Sequence, residues 1–326
     1  MKTQKFGLSR LQWILAGVLV VQIILAVVIN LPRGTQASGG PLLEGFDPVM
    51  INEILIENQS GEQIRLKKIE GSWVLPEAGN YPVMADKVTE LLTKIKNVQT
   101  NRLVTQTAAS HSQLSVADDN FMNKIILNEA GGKSYRLFLG SSSGAGATHI
   151  RLSDRNQVYL TAGLASWEVS PTPSSWIDTE YLTLNQDQIQ SISVQNANGT
   201  FIFTKGTDGQ WVYDDLGEGE TFDADTFQAT INRLASLRML EPLGTEVDPS
   251  LGFDKPRTTV VFGLQEEAGS TSQLTFLIGG KLGENFVAKA SSSPYYVILS
   301  SANVSSLLDM DHASLLVVEA TPTPTP

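Results

Sequence analysis

Apolar and polar residues alternate with a period of two in "INEILIEN" (residues 51–58) and again in "IQSISVQN" (residues 189–196). Such alternation predicts strands with one face on a core and one face outside. Each stretch runs through a glycine-containing turn into a second alternating segment, "QIRLKKI" or "FIFTK". A tryptophan phrase follows, "GSWVL" or "GQWVY". Trp73 and Trp211 stand 138 residues apart, and at the same shift Ile54 meets Ile192, Ile56 meets Val194 and Gly61 meets Gly199. The chain therefore reads as two copies of one unit.

After each tryptophan the period changes. Val88, Leu91, Leu92, Ile95 and Val98 fall at the spacing of one helix face, and Phe227, Thr230, Ile231, Leu234 and Leu237 repeat that spacing. Asp86 and Asp225 lie in the first turn, where a carboxylate complements the helix dipole. Strands then resume. "NKIILNEAGGKSYRLFLG" matches "TTVVFGLQEEAGSTSQLTFLIG", each ending in a glycine (Gly140, Gly279), and two shorter strands close each unit. The predicted unit is β-β-β-α-β-β-β-β. The predicted fold class is α+β: two tandem, mostly antiparallel units with one helix each, packed as a pseudo-symmetric pair, the helix covering the sheet. Trp73 and Trp211 then read as large residues packed between sheet and helix, in preference to a stacking platform for a sugar or peptide.

Ahead of the units, Leu11–Leu31 is 21 residues without a charge. As a helix at about 1.5 Å per residue it would span roughly 30 Å, the thickness of a hydrocarbon core. The run exceeds a signal-peptide core, and the best cleavage position, after Ala37, is mediocre, so an uncleaved anchor is favoured over a cleaved leader. Lys2, Lys5 and Arg10 precede the span and only Arg33 closely follows it. That bias predicts a single-pass protein of the cytoplasmic (inner) membrane, its N-terminus in the cytoplasm and its C-terminal part outside. The organisation read from the sequence is a tail at 1–10, a transmembrane helix at 11–31, a Gly- and Ser-rich linker at 32–48, a first unit at 49–166, a connector at 167–188, a second unit at 189–311 and a Thr/Pro-rich tail at 312–326.

Composition narrows the partners. Residues 1–40 carry +4; the whole chain carries −11, so the remainder carries −15. An acidic body repels phosphate backbones, so nucleic acid is not an expected partner. The chain has no cysteine, which removes disulfides, thiolate metal sites and cysteine nucleophiles together.

The N-terminal anchor, the "I-x-I…G…L…G-x-W-x-L" opening of each unit, the helix after it and the "L-x-L-G" strand end at Leu137–Gly140 together resemble the bacterial "domain of unknown function 4340" family. "SSWIDTEYLTLNQDQIQSI", residues 174–192, resembles the family's phrase leading into its second unit. The resemblance covers about residues 45 to 310. The family has no established activity and offers no catalytic residues to carry over. Its members are often encoded beside ABC-type export components, which implies an accessory role in the cell envelope.

Apparent catalytic motifs fail their context. "GSSSG" around Ser142 has the spacing of a nucleophile elbow, yet a strand is predicted where the elbow needs a helix. "GGKS" around Lys133 has the end of a phosphate-binding loop, but Leu127 stands where its first glycine belongs. His111, His149 and His312 are not spaced as a helical metal pair, and His149 aligns with Phe286. The acidic run Asp214–Asp225 places Asp214, Glu218, Gly219 and Asp225 at calcium-loop positions, but Leu216 stands at the third. No catalytic, cofactor-binding or metal residue is assigned. The favoured function is a non-catalytic, membrane-anchored accessory or scaffold protein, with ABC-type transporter subunits as partners. The alternative is a glycan- or peptide-binding module, for which a groove lined by Trp167, Trp176, Tyr295 or Tyr296 would speak. A hydrolase is the third and least favoured reading.

Overall fold

The structure, a computed structural model, describes residues 19–22, 39–144, 146–266 and 269–317. Of the predicted span Leu11–Leu31 only residues 19–22 are described, as helix; the rest lies outside the described residues. So do residues 318–326 of the predicted tail. Among the described residues no helix is long and apolar enough to cross a membrane.

The fold is α+β and mostly antiparallel. The first sheet is built from β1 (Ile51–Asn58), β2 (Gln63–Ile69), β3 (Ser72–Leu75) and β4 (Tyr81–Pro82), then α1 (Ala85–Lys96), β5 (Leu103–Thr105), β6 (Asn123–Glu129), β7 (Ser134–Ser142), β8 (Thr148–Leu152) and β9 (Val158–Thr161). Its strand order is β4-β3-β2-β1-β6-β7-β8-β9-β5. A connecting strand, β10 (Glu180–Thr183), follows. The second sheet uses β11 (Ile189–Asn196), β12 (Gly199–Lys205) and β13 (Trp211–Tyr213). After α2 (Ala224–Leu234) come β14 (Ser236–Arg238), β15 (Glu241–Gly244), β16 (Thr258–Gln265), β17 (Thr271–Leu282), β18 (Asn285–Ala290) and β19 (Tyr296–Leu299). Its order, β13-β12-β11-β16-β17-β18-β19-β15, follows the same path, and β10 pairs β14 apart from it.

Most strands are hairpin partners of their sequence neighbours. Within the two large sheets the exceptions are β5 and β15. Each follows the helix in the chain but pairs at the far edge, β5 on β9 and β15 on β19. Neither strand is legible in the alternation pattern. A third helix, α3 (Ser301–Leu308), was not expected either, so the second half carries two helices where one per unit was predicted. The predicted helix faces also run past the helices. Val98 lies beyond the α1 cap at Asn97, and Leu237 is buried on β14.

The helices cover the sheets through the expected residues. Val88, Leu91, Leu92 and Ile95 of α1 are buried, as are Phe227, Ile231 and Leu234 of α2. Trp73 and Trp211 are buried with them. The Trp211 indole N–H donates to Gln228 of α2 at 3.1 Å, and its ring meets Phe227 edge-on at 5.5 Å. Trp211 therefore packs between sheet and helix, and Trp73 is buried in the same core. The chain ahead of β1 joins this core: Leu42, Leu43 and Phe46 are buried, and the Leu42 amide donates to Val98 O at 2.8 Å.

Behind each sheet a strap crosses the end of the central hairpin. In the first sheet the strap Ala108–Met122 lays Leu114, Val116 and Phe121 on Phe138 and Val158. Arg151 anchors it, almost wholly buried: its Nε donates to Val116 O at 2.6 Å, and its guanidinium lies 4.6 Å from the centre of the Phe138 ring. His111 ties the strap to the Asn156 carbonyl at 2.8 Å. In the second sheet the strap carries Phe253 onto Tyr296, ring centres 4.8 Å apart.

The uncovered faces of the two sheets differ in charge. On the first, Glu53 pairs with Lys67 across the strands and Glu57 with Lys124. On the second, the same rows read Ser191 with Thr204 and Gln195 with Thr259.

Contacts between the halves run through the connector and the sheet ends. The Met84 amide, ahead of α1, donates to Trp176 O at 2.8 Å. Tyr81 meets Tyr295 at 4.7 Å, and the Tyr295 hydroxyl donates to Asn80 O at 3.3 Å. Burial, with Asp178 and the neighbouring tyrosines, pushes the Tyr81 phenol up to about 12. Tyr81 therefore stays protonated at this junction at physiological pH.

Candidate functional site

A groove runs along α1 where the connector leaves the first sheet. Ser166–Glu168 forms a single tight turn there. Leu164 and Val169 on either side of it are fully buried, while Trp167 between them is 80% exposed. The turn is pinned at three points. Glu168 takes a hydrogen bond from Lys94 at 2.5 Å through one oxygen and from the Ala165 amide at 2.9 Å through the other. Asn123 at the start of β6 donates to Ser166 O at 2.7 Å. The exposed indole is therefore presented from a fixed backbone.

Trp176 closes the groove from below. It is buried, and its indole N–H donates to Ser170 O at 2.7 Å. The groove between the two tryptophans has a volume of about 280 Å3; Leu91 and Leu164 also line it, with Lys87, Glu90 and Ser175. A second cavity of about 370 Å3 lies on the other side of Lys94, lined by Asn97, Gln99, Asn101 and Thr161 among others. Lys94 stands between the two. Hydrogen bonds to Glu168 and then to Glu90 push its ammonium up from its ordinary value. Burial works against the Glu168 charge, but the Lys94 and Ala165 hydrogen bonds prevail and hold its carboxyl below the usual range. The ion pair is thus fixed in its charged form near neutral pH. The arrangement suits recognition: an aromatic plate, amide and hydroxyl groups, and a locked pair of opposite charges.

The residues singled out in the sequence lie elsewhere. The Ser142 hydroxyl donates within its own turn, to Ala147 O at 3.1 Å. Neighbouring Ser141 stands 3.3 Å from His149 Nδ1, but that nitrogen also lies 2.7 Å from the Ser141 carbonyl. A carbonyl only accepts, so Nδ1 carries the proton and is no base for the Ser141 hydroxyl. Strand register places Val287, not Phe286, at the position of His149, a one-residue correction to the sequence alignment. Lys133 lies in the β6–β7 turn, 4.6 Å from the centre of the Tyr135 ring. Tyr295 belongs to the junction and Tyr296 to the strap, so neither joins the groove.

The acidic run serves the helix behind it. Asp223 accepts from the Thr226 amide at 3.0 Å as the cap of α2, and Asp214 accepts from the Thr204 hydroxyl at 2.6 Å. Among the described residues no cluster of acids and histidines is placed to hold a metal. Glu220 accepts from His312 Nε2 at 2.9 Å, and the other ring nitrogen accepts from the Tyr213 hydroxyl at 3.1 Å. This pair clamps the segment that follows α3, where the Val317 amide donates to Thr221 O at 2.9 Å. The His312 hydrogen bond, then the Gly217 amide, hold the Glu220 carboxyl below its ordinary 4.5. A depressed folded-state value stabilises above the unfolded value and is lost as pH falls through the folded one. Hydrogen-exchange protection of the Val317 amide should therefore fall below about pH 4.5 in the wild type. In Glu220→Gln it should be low throughout and insensitive to that range.

Sequence reasoning named Trp167 and Trp176 but could not tell the exposed ring from the buried one. It missed Lys94 and Glu168 as a pair, 74 positions apart. The Lys94 signal was legible only as an (i, i+4) partner of Glu90.

Comparison with curated proteins and with solved structures finds no match. The profile of a family described as "Domain of unknown function (DUF4340)" matches residues 73–256, from the tryptophan of β3 to the chain just before β16. That stretch is more than half of the 326 residues and takes in α1, the groove and the connector. The chain belongs to the DUF4340 family.

Proposed function

We propose that the chain is a non-catalytic accessory or scaffold protein of the cell envelope. Residues 11–31 anchor it in the cytoplasmic membrane, its two sheets lie on the outer side as an internal duplication, and it serves an ABC-type export system. The uncharged run Leu11–Leu31 behind a positive N-terminus supports the anchor, and the family's usual neighbours support the partner. One observation carries the recognition role: Trp167 is held 80% exposed on a pinned turn beside a groove floored by Trp176. Tryptophan is prominent among residues that dominate binding energy, and here its ring is held out from a fixed turn at the rim of a groove.

The second reading is a glycan- or peptide-binding module using the same groove. The aromatic plate next to the amide-lined cavity favours it. A hydrolase stays third, since Ser142 and Ser141 lack an available base.

The test is a mild-detergent pull-down of the full-length tagged protein from its native membrane, read by mass spectrometry. Trp167→Ala is expected to cut recovery of transporter subunits at least tenfold, equivalent to about 1.4 kcal/mol or more, at an unchanged melting temperature. Loss on replacing Leu11–Leu31 with an unrelated anchor, but not with Trp167→Ala, would move the contact into the membrane. Recovery of the protein alone would overturn the accessory reading, and saturable binding of oligosaccharides or peptides abolished by Trp167→Ala would establish the second.

A further inference from the structure

A further cavity lies away from the groove, at the end of the second sheet beneath α3. Its volume is about 550 Å3, inside the range of roughly 300–1,000 Å3 typical of small-molecule sites. Arg257, just ahead of β16, and Lys281, on β17, line one side. Among the described residues neither makes an ion pair with a carboxylate. Phe286 and Leu308 supply apolar wall, and Ser305 of α3 also lines the cavity. Asp309 is the one acid on the lining. Lys281 lies 5.3 Å from the centre of the Phe286 ring, which holds its ammonium at the wall.

The first sheet serves as an internal control for what this corner requires. There the position of Arg257 is Met122, that of Lys281 is Ser142, and that of Phe286 is Thr148, as the strand registers show. The same hairpin ends close without any charge. The two cations are therefore not demanded by the fold, and among the described residues they make no ion pair although the chain carries a net charge of −11.

We propose that this cavity binds the phosphate group of a small phosphate ester. The phosphate lies between Arg257, Lys281 and the Ser305 hydroxyl, and the carbon part rests on Phe286 and Leu308. Three donors on three separate elements exceed what the two oxygens of a carboxylate use and match the three free oxygens of a phosphate ester. The ester comes either from a soluble metabolite or from a lipid headgroup.

The test is calorimetric titration of the full-length protein in detergent with inorganic phosphate and with glycerol 3-phosphate. Saturable binding of glycerol 3-phosphate, tighter than inorganic phosphate and weakened by salt, is the expected result. The double variant Arg257→Gln/Lys281→Gln should bind at least tenfold more weakly. Ser305→Asp, which sets a carboxylate against the phosphate, should abolish binding. Both changes are on exposed side chains, and an unchanged melting temperature shows that the variants fold. Dihexanoylphosphatidylglycerol, used below its micellar concentration, separates the sources: tighter binding than glycerol 3-phosphate marks a lipid headgroup, weaker binding a soluble ester. No saturable heat with either phosphate compound, or unchanged affinity in the double variant, overturns the proposal.

Discussion

Gly140→Ala is expected to destabilise the first sheet by about 3 kcal/mol, a large loss for one methyl group. Gly140 sits on β7 directly under the strap. A Cβ built there would lie 2.1 Å from Leu114 O and 2.6 Å from Val116 Cγ1. The nearest obstacle is backbone, so no rotamer change relieves it. The strap would have to lift, and it is held by the Arg151–Val116 hydrogen bond, by His111 on Asn156 and by the Ser141 amide on Leu114 O at 3.0 Å. Losing two or three such bonds at about 1 kcal/mol each gives the expected size. Gly279 is the counterpart: a Cβ there would meet Leu251 O at 2.6 Å and the edge of the Phe253 ring at 2.8 Å. The ring can turn aside and the carbonyl clash is 0.5 Å less severe than at Gly140, though backbone still has to shift, so Gly279→Ala should cost less, about 2 kcal/mol. Gly131, which has open space at its Cβ, is the control and should change nothing measurable. Urea-unfolding midpoints of the three variants check the series. A Gly140→Ala protein within 0.5 kcal/mol of wild type would mean that the strap does not seat as described.

Phe203→Ala should cost about 4 kcal/mol and unfold the second sheet first. Phe203 is fully buried, stacked on Phe227 with ring centres 3.8 Å apart, and flanked by Tyr213 at 5.3 Å and Phe222 at 5.9 Å. Truncation leaves a void walled by rigid rings that collapse poorly, and it removes the stacking as well. Leu66 occupies the matching position in the first sheet, each facing the central isoleucine of its neighbour strand. Phe203→Leu should therefore be tolerated better, at about 1–2 kcal/mol. Fluorescence of Trp211, which touches Phe227, reports this half; Trp73 reports the other. A Phe203→Ala loss below about 2 kcal/mol would show that the cluster repacks.

Much of this architecture is legible in the residue pattern because its long strands have one wet face. Ile54 and Ile56, or Ile192 and Val194, announce the buried side by simple alternation. What escapes is set by distant partners. β5, "LVT", and β15, "EPLG", are too short to show a period and become strands only because β9 and β19 offer open edges. Helix α3, "SANVSSLL", buries only Val304 and Leu307, too narrow a stripe to declare a helix in advance. At the groove, Trp167 and Trp176 are chemically the same residue. One is out and one in because the turn at Ser166–Glu168 is tied to Lys94 and Asn123, far away in sequence.

The far-edge placement of β5 and β15 has a consequence for a chain made from its N-terminus. The hairpins β1–β2 and β2–β3 can form as soon as their residues exist, since each closes a short loop. Helix α1 and β5 cannot finish docking at that stage. The edge that β5 needs, β9, is not complete until residue 161 has been made. In the second half β15 waits in the same way for β19, through residue 299, and Thr221 waits for Val317. Throughout each wait Leu91, Ile95, Ile231 and Leu234 lack part of their cover. Each half is thus open to chaperones and to wrong strand pairing until nearly its last strand.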